Sequence, residues 1–278
     1  MAQPTVFTPS ETVDILTNNS VNKVNHSFMK VMLLGIMAGL MISFGADAFL
    51  IVSHSVDKAG AAKMMGGAIF PIGLISIVLS GSELLTGSCL NVLGLTTGKI
   101  NLSAVTRNMV LVAIANCVGA VILAASLYYM GQLNLSGGRM GAYAIKVALS
   151  KVTMGFGPAV VSGIWCNVLV CLAILLAAAS QQVAGKVLAI FFPIWVFVAC
   201  GFEHSVANMF YLPLGMLAKG NADYAAAAEK LYGISADALT QLSWSGCLVD
   251  NMIPVIIGNV IGGSVVVAGC FYVALKRS

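Results

Sequence analysis

Charge is what this chain has least of: Asp, Glu, Lys and Arg together make up 9% of its 278 residues, and histidine occurs three times. The 14 basic residues sit scattered in short polar gaps and form no block, which excludes a surface that tracks a phosphate backbone, so nucleic acid is not an expected partner. The seven cysteines lie mostly in apolar runs, and the closest pair, Cys166 and Cys171, has neither redox-motif nor zinc-finger spacing. They read as small packing residues, with no metal and no cofactor expected. The first 30 residues have no apolar core behind a charged start, so a cleaved secretory signal is not expected.

What is there is apolar. Hydrophobic residues reach 59% and the mean hydropathy is +0.96, well outside the balance of a soluble domain, so the chain reads as an all-α membrane protein. A helix needs about 20 apolar residues to cross the hydrocarbon core. Four stretches qualify directly, 31–53, 109–131, 158–180 and 251–275. Two more, 64–80 and 187–200, end in "SGSELLTG" and "CGFEHSVAN" and resume as short apolar pieces at 88–97 and 208–218. Each reads as one broken helix. Irregular backbone at membrane depth is tolerated only where protein or a water-filled cavity satisfies it, so the two breaks point to a central pathway.

The spans also repeat. Asn108, Met109, Val112, Ile114, Asn116, Gly119, Ala125 and Tyr129 recur 143 positions later in the last span, and the breaks align as G-x-E from Gly81 and from Gly201. A three-span unit repeated once has inverted topology, because an odd number of crossings starts the second copy on the opposite side. Both termini then share a side. Lys23, Lys30, Lys99, Arg107, Lys186, Lys276 and Arg277 lie on that side, against Lys58, Lys63, Arg139, Lys146, Lys151, Lys219 and Lys230 opposite, a tie that leaves the orientation open. Residues 1–30 form a separate terminal segment. There Thr8, Pro9 and Glu11 make a capping box, and Val13, Leu16, Val24 and Phe28 recur near helical spacing, predicting an amphipathic helix on the membrane surface or on the protein's own face. The transporter unit spans 31–275, as repeats 31–131 and 158–275.

His204 is the one histidine set between apolar half-helices, where an ionisable group is costly and points to function; the plainer reading is a neutral ring that ties the break together. Glu83 and Glu203 precede the two half-helices and read as clamps that accept bonds from free backbone amides, with a proton relay along the substrate pathway as the alternative. Thr86 and Ser88, with Ser205 and Asn208, supply polar groups that can meet His204 across the repeat axis, or cap helices. Lys151 is an anion attractor at a pore mouth or a snorkelling boundary lysine. Asp47, the only charge in the first span, is placed near its far end. Gly35, Gly39, Gly119, Gly262 and Gly263 allow close helix contact, and Asn116 and Asn259 are expected to bond the broken backbone.

"GFEHSVANMFYLPLG", "DNMIPVIIGNVIGG" and "GSELLTG" give the chain, over essentially its whole length, a resemblance to the formate/nitrite transporter family. The resemblance implies six transmembrane helices per protomer in an aquaporin-like inverted three-plus-three repeat with two broken helices, a homopentamer with one pore per protomer, and cytoplasmic termini in the plasma (inner) membrane. It carries the central histidine onto His204, the loop threonine onto Thr86 and the outer vestibule lysine onto Lys151. The hydrophobic constrictions fall on Phe70, Leu74 and Phe197 outside and on Leu84 and Leu85 inside, with Asn167, Val170 and Asn208 at further pore positions. Leu85 stands where an aromatic is frequent, and "KVTMGFGP" lacks the polar run that commonly follows the lysine. The implied function is passage of a small monovalent weak-acid anion across the lipid bilayer, formate foremost, with nitrite and hydrosulfide as alternatives and a neutral-solute pore as a rival. His204 either hands a proton to the anion or stays charged while the anion passes as such. No enzymatic activity is expected.

Overall fold

The computed structural model describes residues 5–276; Arg277, counted above among the terminal-side cations, lies outside them. Helices make up the fold, and the only β pairing among the described residues is an isolated bridge between Val6 and Ser180. Six helices are long and apolar enough to cross a membrane. In chain order they are α2 (Phe28–Ser53), the α3 (Ala59–Ile69) and α4 (Ile72–Ser80) pair, α6 (Leu102–Tyr129), α8 (Phe156–Ala179), α9 (Val183–Cys200) and a last helix, α13 (Trp244–Lys276). The α3–α4 span bends at Pro71, which cannot donate to the helical ladder.

Two short helices re-enter the bundle after α4 and α9. One is α5 (Leu85–Ser88), which tightens at once into a 3₁₀ stretch over Cys89–Thr97; the other is α10 (Ser205–Lys219). The protein is thus a three-plus-three bundle in which α2, α3–α5 and α6 correspond to α8, α9–α10 and α13. The outer spans of each half pack backbone to backbone. A methyl group on Gly39 would lie 2.1 Å from the Asn116 carbonyl oxygen, and one on Gly258 would lie 2.2 Å from that of Val160. Helices this close have no room for a side chain between them.

α1 (Pro9–Val24) starts as its sequence directs: the Thr8 hydroxyl accepts the Glu11 amide, and the Glu11 carboxylate accepts the Thr8 amide at 2.8 Å. Its Val13, Leu16 and Val24 are buried against α8, α13 and the 3₁₀ stretch, so this face sits on the protein and not on lipid. Phe28 does not join it; α1 ends at Val24, and Phe28, 55% exposed, opens α2. Lys276 binds Asp14 at 2.6 Å, which holds both ends of the chain on one face. On the opposite face α7 (Arg139–Val152) packs against α10, and α11 (Ala222–Tyr232) and α12 (Ala236–Gln241) pack against α7.

Candidate functional site

Both breaks are built alike. α4 and α9 each end at a glycine in the left-handed region, Gly81 at φ 74° and Gly201 at φ 75°, a conformation that a Cβ disfavours. Three residues on, Leu84 and His204 occupy matched extended positions, at φ −111° and −108°, and the half-helix begins behind them. One asparagine spans each break. Asn116 accepts the Leu85 amide at 2.9 Å and donates to the carbonyls of Gly35 and Glu83, both at 2.8 Å. Asn259 accepts the Ser205 amide at 2.9 Å and donates to the carbonyls of Gly163 and Glu203 at 2.8 and 3.0 Å. These bonds replace the water that backbone groups cannot find inside a bilayer.

The two glutamates are fully buried, but neither accepts from the backbone amides as the sequence suggested. Basic side chains reach them instead. Glu83 faces Lys23 Nζ at 3.2 Å and His26 Nδ1 at 3.4 Å, both from the end of α1. Glu203 binds Lys151 Nζ at 2.8 Å, Asn208 Nδ2 at 2.6 Å and Asn251 Nδ2 at 3.1 Å. Both Glu203 oxygens thus have partners, as a buried carboxylate needs, since an unpaired charge there is very costly, whereas Glu83 Oε1 accepts no hydrogen bond.

His204 caps α10: its Nδ1 accepts the Ala207 amide at 3.0 Å. With Nδ1 as acceptor, the resting ring carries its proton on Nε2, which then donates to Thr86 Oγ1 at 3.0 Å. Thr86 is held in turn through its carbonyl by Asn167 Nδ2 at 3.2 Å, and Asn167 also donates to the Asn259 carbonyl at 2.6 Å. The matched position in the other half holds Leu84, so the pseudo-symmetric pair at the centre is one apolar and one imidazole side chain.

Around His204 lies a slit lined by Ile42, Phe70, Leu74, Leu84, Val170, Ile194 and Phe197, too narrow for a water-sized sphere. Phe70 and Phe197 meet edge to face with centroids 5.5 Å apart. A cavity opens on either side. The one near the termini holds about 440 Å³, and the distal one about 370 Å³. Phe70, Phe197 and His204 also border the distal cavity, whereas Leu74 and Leu84 border the terminal one.

The remaining predicted residues divide. Leu74 faces the terminal cavity, not the outer side assigned to it. Leu85 lines no cavity among those described; it is buried in the core, and its amide serves the Asn116 bond. The Asn208 side chain supports Glu203 and Asn251 and makes no bond to the His204 ring. Ser88 and Ser205 are buried with hydroxyls that no side chain meets. Lys151 lines the distal cavity, 5.2 Å from the Tyr211 ring, with its charge matched by Glu203. Asp47 is buried near its helix end, at 2.5 Å from Gln132 Nε2. Sequence reasoning missed Lys23, His26 and Asn251, because nothing in their spacing marks a partner 43 to 60 residues away. Among the described residues no cluster of His, Cys, Asp and Glu gathers to hold a metal.

The family model described as formate/nitrite transporter matches residues 10–273. The "Probable formate transporter" of Methanothermobacter thermautotrophicus is 36% identical, with 87% of each chain covered, and the "Formate channel FocA" of Haemophilus influenzae 32% identical, over 93% of this chain and 91% of that one. Among solved structures, a "Pentameric formate channel with formate bound" matches with a TM-score of 0.80 at 30% identity, covering 90% of this chain and 98% of the other. An "FNT family ion channel" matches at 0.81 and 26%, covering 95% and 98%.

Proposed function

Because the chain belongs to the formate/nitrite transporter family, we propose that it carries formate, as a weak acid, through a pore in each protomer of a homopentamer. It is a multi-pass membrane channel or transporter and not an enzyme. The proposal places it in the plasma (inner) membrane with cytoplasmic termini, residues 1–30 forming a terminal segment and 31–275 the pore unit. Formate is preferred to nitrite and hydrosulfide because the relatives compared above carry formate in their names.

The observation that carries this reading is the contact of His204 Nε2 with Thr86 Oγ1 beside a slit without room for water. A bare anion there loses its hydration, a penalty of many kcal/mol that a neutral acid largely escapes. Lys151 holds anions in the distal cavity, and His204 supplies the proton. A solvent proton binds Nδ1, which releases the Ala207 amide at a cost of about 1 kcal/mol. The imidazolium then gives its Nε2 proton to a formate oxygen, and formic acid crosses the slit. Water reprotonates Nε2 and Nδ1 loses its proton, restoring the cap. One anion and one proton move together, so the step is electroneutral.

The test is flux of formate, nitrite and hydrosulfide through purified protein in liposomes over a pH series, with current recorded in parallel. Formate uptake that rises on acidification without net current supports the proposal. Current that tracks anion flux at every pH sinks the proton step, and preference for nitrite or hydrosulfide sinks the substrate.

A further inference from the structure

The distal cavity carries more positive charge than its central pair needs. Its lining holds three lysines, Lys63, Lys146 and Lys151, and two carboxylates, Glu203 and Asp57. Glu203 is taken by Lys151 at 2.8 Å, and Asp57 by Arg139 at 2.5 Å. No carboxylate of the described residues lies within 4.0 Å of Lys63 or Lys146.

Lys146 is held by ring contacts that leave its charge intact, and Lys63 lies at the end of a helix. Lys146 Nζ stands 4.4 Å from the centroid of the Tyr232 ring and 5.8 Å from that of Tyr143, a cation–π seat between α7 and α11. Lys63 Nζ lies beside Gly201, 3.1 Å from where a Cβ would stand, at the C-terminal end of α9. Two uncompensated cations thus line a cavity that leads to the Phe70–Phe197 slit. Such a geometry focuses field lines and raises the local concentration of small anions.

We propose that Lys63 and Lys146 form an anion-recruiting rim of the distal cavity, setting the capture rate of small monovalent anions before they reach Lys151 and the slit. This rests on the anion-transport reading above. The rim acts at long range, so screening by salt weakens it, since the Debye length shrinks from about 30 Å at 0.01 M to about 3 Å at 1 M. It adds nothing to the crossing step itself.

Initial formate uptake into right-side-out and inside-out vesicles, at substrate well below half-saturation and at saturation, tests this at two ionic strengths. The proteins compared are wild type, K63Q/K146Q and the charge-keeping K63R/K146R. The expected result is about threefold or more slower low-substrate uptake from the distal face for the glutamine pair at low salt. That deficit disappears at high salt, the saturated rate is unchanged, and the arginine pair behaves as wild type. A deficit that persists in high salt, a lowered saturated rate, or no deficit at all overturns the rim. If wild-type protein passes no anion, the functional reading falls together with the rim, whereas normal wild-type uptake with an unaltered glutamine pair removes the rim alone.

Discussion

His204 does two jobs with one ring. Nδ1 terminates α10, and Nε2 faces Thr86 at the slit. A substitution therefore separates them poorly unless the ring shape is kept. His204→Phe keeps an aromatic against Phe197, whose ring centroid lies 5.8 Å from that of His204. It should lose the cap, about 1 kcal/mol, and with it pH-dependent formate uptake. Pentamer integrity by size exclusion, followed by uptake from pH 5 to 8, measures both; uptake that still follows pH removes the histidine from the proton step. The Lys151–Glu203 pair makes a second residue-scale prediction. Lys151→Met leaves a buried carboxylate with only amide donors and should destabilise by about 3 kcal/mol or more, and adding Glu203→Gln should recover part of that loss. A thermal-stability cycle in detergent reads it, and strictly additive losses would mean that the two charges do not depend on each other.

At the scale of elements, the broken helices survive because each has an asparagine to serve its backbone. Asn116→Ala or Asn259→Ala strips a buried amide and two carbonyls of their partners, so either change should cost about 2–4 kcal/mol, seen as a lower melting temperature of purified protein. The capping box, the breaks and these asparagines were all legible in the sequence, since each is a local signal or recurs in the repeat. The docking of α1 onto Glu83 was not, because it joins residues far apart in the chain. That contact is sensitive to pH. Burial, with Lys30 beside it, holds the His26 pKa below its ordinary value, Lys23 adding to the effect and Glu83 opposing it. The docked state thus prefers the neutral ring. Its stability is full above the ordinary histidine pKa of about 6.5 and declines as pH falls below it. The protection of the Val13–Val24 amides, as exchange relative to the intrinsic rate at each pH, should therefore fall between pH 7 and 5, and His26→Asn should flatten that dependence.

At the scale of the molecule, the spans leave large apolar side chains outward, among them Phe44, Ile114, Trp165, Phe192 and Val265, each at least 51% exposed. In a bilayer such surface meets lipid or other subunits. The proposed homopentamer predicts a particle of five times the 28.8 kDa chain mass once bound detergent is subtracted in light scattering, and a monomer or trimer would refute it. Each protomer holds its own slit between two cavities, so a mixed assembly of wild-type and His204→Phe chains should lose pH-dependent flux in proportion to the mutant fraction.

Composition and period alone determined the membrane class, the six spans, the inverted repeat and the two breaks, because each follows from local hydropathy and from glycines that a left-handed turn requires. They also singled out His204, and the family resemblance added Thr86. Only the tertiary structure decided which groups meet: that Lys151 is matched by Glu203, that α1 brings Lys23 and His26 to Glu83, that Leu85 turns into the core while Ile42 and Ile194 reach the slit, and that Lys63 and Lys146 stand uncompensated. Pairing across many residues depends on how helices approach and rotate in three dimensions, and one-dimensional periodicity carries no record of a side chain's partner on another helix.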